Sequence, residues 1–245
     1  MMTPQSAITL TESPASVRPA SATNVLNIER PDRELRRQLT RFSKWMYRLG
    51  FAPGTSGNLS ARIDQERILA TPTGCSKYLL RPVDMVVVDL DGKLLSGTRN
   101  VTSEIGMHLA VYKMRSDVQA VVHAHPPIAT AFASCGLALD APLCAELVMT
   151  LGAIPLAAYA TTGTDEVGAS LEPFLEDHDA VLMANHGLVT YGKDLLDAFM
   201  KLETTEHFAQ VCLAAHELGC PKLLDEDALL KLREARLRYR SNCRA

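Results

Sequence analysis

The stretch Gln119-Ala120-Val121-Val122-His123-Ala124-His125-Pro126 decides how this chain is read. Its apolar run reads as a strand over Gln119 to Ala124, and Pro126 then opens a short helix to Ser134, because proline suits a first helical turn. A strand running directly into a helix is the unit of an α/β protein. In an extended strand, His123 and His125 project from the same face with Cα atoms roughly 6.6 Å apart. That spacing lets two imidazole nitrogens converge on one ion. It also fits one packed and one solvated histidine, so the pair needs further ligands before it defines a site.

Working outward, Leu35, Leu39, Phe42, Met46 and Leu49 recur at three- and four-residue spacing after Asp32, and Gly50 follows as a stop. This predicts an amphipathic helix. Asn58 to Ile63, Arg67 to Thr71 and Met85 to Leu90 read as strands between the turn formers Pro72, Gly74, Asp91 and Gly92. Thr102 or Ser103 is expected to cap a helix through Lys113, Ile154 to Ala158 to form a strand, and Thr164 to cap another helix. Ala180 to Ala184 reads as an apolar strand ending in Asn185-His186-Gly187. A long helix from Lys193 to Leu218 and a last one capped by Asp225 complete an α/β pattern.

The 245 residues, 47% of them apolar, suit one domain over residues 31–245. Residues 1–30 are expected to be a disordered tail, since Thr3 to Ala22 are rich in Ser, Thr, Pro and Ala and bury little. A net charge of −3, with scattered lysines and arginines, argues against a nucleic-acid partner. No apolar run approaches the ~18 residues of a membrane span, and Met1 to Leu10 does not resemble a secretory signal. Six cysteines without a C-x-x-C pair fit a reducing compartment. The expectation is a cytoplasmic protein without a membrane partner.

His186, at the end of a second strand and beside a glycine, is the third candidate ligand. Glu104, at a helix start, can add an oxygen, and three nitrogens with one oxygen suit zinc or another divalent first-row metal. His108, His178, His207 and His216 are read as packing or solvated residues. Gly54-Thr55-Ser56-Gly57-Asn58, Thr71-Pro72-Thr73-Gly74 and Thr102-Ser103 offer backbone amides, hydroxyls and a side-chain amide of the kind that cradle a phosphate. Each taken alone is an ordinary turn.

Those three segments with Leu59-Ser60 and Glu104 added, His123-Ala124-His125 and Asn185-His186-Gly187 stand in the order and approximate spacing of the class II aldolase/adducin family, which the chain resembles from about Asp32 to Tyr239. The resemblance implies a three-layer α/β/α sandwich with a largely antiparallel central sheet. It implies zinc on His123, His125 and His186, and Glu104 as metal ligand and base. It implies a sugar-phosphate substrate whose phosphate meets Thr55, Asn58, Gly74, Thr102 and Ser103, and a homotetramer with active sites at subunit boundaries. No tyrosine aligns with the family's proton donor, whose segment here reads Pro142-Leu143-Cys144-Ala145-Glu146. Glu146 is the candidate acid/base there, and Tyr239 matches a C-terminal tyrosine.

Overall fold

The computed structural model describes residues 30–219 and 221–244, with side chains for 32–219 and 221–238. In chain order, α1 (Arg30–Arg48) leads into β1 (Asn58–Arg62), β2 (Arg67–Ala70), β3 (Val86–Asp89) and β4 (Leu94–Ser96). Then come α2 (Ile105–Met114), β5 (Ala120–Ala124), α3 (Pro127–Ser134), α4 (Ala145–Thr150) and β6 (Leu156–Ala157). The order closes with α5 (Asp165–Leu171), β7 (Ala180–Met183), β8 (Gly187–Gly192), α6 (Leu195–Glu217) and α7 (Glu226–Arg244).

Among the described residues the strands form one eight-stranded sheet in the order β4-β3-β2-β1-β5-β8-β7-β6. Every neighbouring pair is antiparallel except β6 and β7. All five residues of β5 are buried, so apolar groups must cover both faces of the central strand. The period of two assigns them. Ala120, Val122 and Ala124 join a core with α1, α3 and α6, while Val121 joins Met107, Val111 and Val167 of α2 and α5 on the other face. Helices thus lie on both sides of the sheet, giving the three-layer α/β/α sandwich.

Several boundaries differ from those expected. β4, β8 and α4 carry no sequence signal strong enough to be foreseen. β8 starts only three residues after β7 and returns as a hairpin, with His186 N–H donating to Met183 O at 3.0 Å. Asn185, at φ 54°, makes that turn in the left-handed region that asparagine tolerates. The expected strand from Ile154 to Ala158 shrinks to two residues, and Ile154 instead bridges Leu139. Neither Thr102 nor Ser103 caps α2: Glu104 occupies the cap position without a side-chain cap bond. Thr164 holds the cap position of α5, but its hydroxyl donates backwards to Thr161 O at 2.7 Å. α6 begins two residues later than expected because Asp194 caps it, accepting from Asp197 N–H at 2.7 Å. Asp225 does accept from Ala228 N–H at 2.8 Å at the start of α7. Residues 1–29, which include most of the expected tail, lie outside the described residues, as does the side chain of Tyr239.

The buried Glu206 of α6 reaches α3, where its carboxylate accepts from Ile128 N–H at 3.1 Å and Ala129 N–H at 2.8 Å. A carboxylate satisfying two first-turn amides both caps the helix and opposes its dipole. Glu206→Ala should therefore lower the unfolding free energy by about 1–3 kcal/mol, because one buried and one part-buried N–H group lose their acceptor. Urea titration of the two proteins is the check, and equal midpoints would contradict the capping account.

Candidate metal centre

Three strand ends share one edge of the sheet: β5 finishes there, and its antiparallel neighbours β1 and β8 begin there. Asn58 of β1 stands directly opposite His123 of β5. His123 points to the α2 face, and its Nδ1 lies 3.0 Å from Leu188 O. A carbonyl can only accept, so Nδ1 carries the proton and Nε2 presents a bare lone pair. His125, just past β5, is tied down by its backbone N–H, which donates to Phe51 O at 2.8 Å. His186 reaches the same place from the β7–β8 turn.

The ligand atoms of His123, His125 and His186 all lie within 4.8 Å of one another. Nε2 of His125 and Nε2 of His123 are 3.0 Å apart. Glu104 closes the group, with Oε1 2.8 Å from His186 Nε2 and Oε2 3.4 Å from His123 Nε2. Gly187 makes the crowding possible, since a Cβ there would lie 2.6 Å from His125 Cδ2 and 2.7 Å from Ala124 O. Two ring nitrogens aimed at each other, a third nearby and a carboxylate against them form a donor set that a divalent first-row cation fits.

Burial pushes His123 down to about 3, against the attraction of Glu104. Burial likewise lowers His125, helped by His186. Neutral imidazole is the state that binds a metal. Burial works to raise the Glu104 carboxyl, but its interactions with the His123 and His186 rings and the hydrogen bond from the Asn58 amide outweigh it and hold Glu104 well below the usual carboxylate range. The site thus presents neutral nitrogens at His123 and His125 and an anionic oxygen at Glu104 near neutral pH.

The three hydroxyl and amide loops come together beside this group. Pro72 bridges Val101, and Thr73 N–H donates to Asn100 O at 3.1 Å, which ties the second loop to the segment carrying Thr102 and Ser103. Lys77 ties the first two: its Nζ donates to Thr55 O and to Cys75 O, both at 3.0 Å. Thr55, Gly74 and Ser103 are exposed, whereas Asn58 and Thr102 are buried. Asn58 Nδ2 donates to Glu104 Oε2 at 2.7 Å, joining the first loop to the histidine group.

Two residues escaped the sequence reading. Lys77 is 1% exposed, and burial lowers its amine to about 8 although Cys75 and Glu104 pull the other way. The loops therefore have a buried ammonium beneath them, where neutral donors alone were expected. The other is His108, taken for a packing residue, which is fully buried and bonded to Asn58. Its signal was the recurrence of Glu104, His108 and Tyr112 every fourth residue on one helix face. Glu146 is exposed in the first turn of α4, and no bond joins it to the histidine group among the described residues.

Residues 37–213 match the family described as Class II Aldolase and Adducin N-terminal domain. The chain belongs to this family. It is 35% identical over 199 residues to 5-deoxy-D-ribulose 1-phosphate aldolase of Bacillus thuringiensis serovar kurstaki, covering 80% of this chain and 92% of that protein. It is also 35% identical over 185 residues to 3-oxo-tetronate 4-phosphate decarboxylase of Escherichia coli K12, covering 74% of this chain and 86% of that protein. Among solved structures, an L-fuculose 1-phosphate aldolase superimposes with a TM-score of 0.76 at 31% identity, covering 82% of this chain and 95% of that one.

The buried histidines fix a pH dependence. Burial lowers His108 from 6.5 to about 4 in the fold, so between those values the unfolded chain binds more protons than the native one. Its contribution is complete above pH 6.5 and is lost as pH falls towards 4. At pH 5 the loss is roughly 2 kcal/mol for this residue alone. Urea unfolding of metal-free protein at pH 7 and pH 5 should show a fall of at least that size. Equal stabilities would contradict a neutral, buried His108.

Proposed function

We propose that this chain is a zinc-dependent aldehyde-lyase that reversibly cleaves a ketose 1-phosphate, such as L-fuculose 1-phosphate, into dihydroxyacetone phosphate and an aldehyde. The observation that carries the reading is the convergence of His123, His125, His186 and Glu104 at one sheet edge, beside loops that offer amides, hydroxyls and the Lys77 ammonium. His123, His125 and His186 would hold the metal, with Glu104 as a fourth ligand. When bound, the ion supplies Lewis acidity to the substrate's carbonyl, which is the electron sink that carbon–carbon cleavage requires.

The chain's own residues do the rest. Thr55, Asn58, Gly74, Thr102 and Ser103 bind the phosphate, and the buried charge of Lys77 favours an anion over a neutral group at the same place. Fixing the phosphate orients the remote carbon–carbon bond and lowers the entropy cost of reaching its transition state. Glu104, held anionic, takes and returns the proton at the carbon that becomes nucleophilic. Glu146 handles the hydroxyl proton of the departing aldehyde from the exposed start of α4, and Tyr239 is the further catalytic candidate by its match to the family's C-terminal tyrosine.

The reading includes a homotetramer with active sites at subunit boundaries, a single catalytic domain over residues 31–245 and a cytoplasmic location. Exposed apolar side chains at Tyr47, Tyr78 and Leu79 support an assembly surface near the second loop. A second reading, decarboxylation of a phosphorylated keto acid, is supported by the Escherichia coli relative, whose identity equals that of the aldolase relative. Both reactions leave an electron pair beside a carbonyl. Both place a phosphate at the loops.

Metal analysis followed by assays against ketose 1-phosphates and 3-oxo acid phosphates tests the proposal. About one divalent ion per chain is expected, lost in His125→Ala, with dihydroxyacetone phosphate as product. Glu104→Gln should lower turnover by roughly 10²-fold or more. Release of carbon dioxide in place of dihydroxyacetone phosphate would select the second reading. Full metal retention in His125→Ala would sink the site assignment itself.

A further inference from the structure

Behind Glu104 runs a row of buried polar side chains, of which the mechanism above uses Asn58 alone. β1 turns Asn58 and Ser60 to the α2 face, since Leu59 and Ala61 occupy the opposite core. α2 sends His108 and Tyr112 back at them. Asn58 Nδ2 donates to Glu104 Oε2, and Asn58 Oδ1 meets His108 Nε2. His108 Nδ1 is 2.7 Å from Ser60 Oγ, which is 2.9 Å from Tyr112 Oη. None of these four residues is more than 3% exposed, so water cannot substitute for a missing partner.

The polarity of every link follows from the first. A carboxylate only accepts, so the Asn58 amide must turn its NH₂ to Glu104 and its carbonyl to His108. That carbonyl also only accepts, so His108 Nε2 carries a proton. Burial keeps His108 neutral near pH 7, which leaves Nδ1 bare. Ser60 must then spend its single hydroxyl proton on Nδ1 and accept from the Tyr112 hydroxyl. All donors point the same way: Tyr112 to Ser60, Ser60 to His108, His108 to Asn58, and Asn58 to Glu104.

We propose that His108 is a positioning residue for the reaction, fixing the Asn58 amide so that its NH₂ holds the Glu104 carboxylate against His123 and His186. The proposal rests on the reading of Glu104 as the base. Without the Nε2–H donor, nothing on the α2 side prevents Asn58 from flipping and turning a carbonyl oxygen towards an anion. The same residue thereby links the first loop, which carries Asn58, to the orientation of the base. Glutamine is the conservative replacement, because its amide offers a donor and an acceptor in place of the two ring nitrogens.

The test uses the zinc-loaded, full-length protein, with kinetics on the phosphorylated substrate normalised to bound metal. His108→Met should lower kcat by about tenfold or more with KM changed by less than about threefold. His108→Gln should recover most of kcat, and the His108→Met loss should disappear in a Glu104→Gln background. A loss confined to stability or metal content, with kcat per bound metal unchanged in His108→Met, would overturn the proposal. A fully active Glu104→Gln would instead overturn the base reading, so the two failures are distinguishable. Nitrogen-15 resonance of histidine-labelled wild-type protein gives a check that no folding defect can obscure. His108 protonated at Nε2 supports the row, and protonation at Nδ1 contradicts it.

Discussion

One hydrogen bond orders the site: His123 Nδ1–H to the carbonyl of Leu188, from the central strand to its neighbour. Because β5 and β8 are antiparallel, the carbonyl belongs to a residue that starts its strand where β5 ends. The bond therefore fixes ring orientation and tautomer together, and it directs Nε2 towards His125, His186 and Glu104. Second-layer acceptors of this kind usually decide which nitrogen a metal meets. The glycine before Leu188 lets β8 come close enough to form the contact, since any side chain at Gly187 would strike the His125 ring.

The α2 face of the sheet at this edge is polar where it would ordinarily be apolar. Asn58, Ser60 and Arg62 of β1 all project there, and Arg62 donates to the Tyr112 carbonyl at 2.9 Å with its guanidinium 4.8 Å from the Tyr112 ring centre. Burying so many polar groups costs free energy unless each is paired, and here they are paired with one another and with backbone. The opposite face carries Leu59, Ala61, Val122 and Ala124 against α1, α3 and α6. One face thus stabilises the sandwich while the other is free to hold charge. The division follows from the strand period of two.

Much of this was legible in the sequence. The i, i+2 histidines on an apolar strand and the third histidine beside a glycine are short-range patterns, and short-range patterns survive folding. Glu104 was recognisable as a helix-start carboxylate, although it is the cap residue itself and not one following a capping hydroxyl. The hairpin after His186 was hidden because its strand follows a three-residue turn with no separate turn signal beyond Asn185 and Gly187. His108 and Lys77 were hidden for a different reason. Their roles depend on contacts 50 and 22 residues away in the chain, and no local propensity encodes such a distance. Glu146 and Tyr239 were proposed from the resemblance alone; among the described residues no bond joins Glu146 to the histidines, and the side chain of Tyr239 lies outside them.

The central claim is that three neutral imidazoles, one of them oriented by Leu188, form the inner shell of a divalent metal. Zinc K-edge fine structure of the metal-loaded protein measures that shell directly. The account predicts nitrogen or oxygen scatterers only, at about 2.0–2.1 Å, with the outer-shell scattering of three imidazole rings. A sulfur scatterer at about 2.3 Å, or a shell without imidazole, would contradict it.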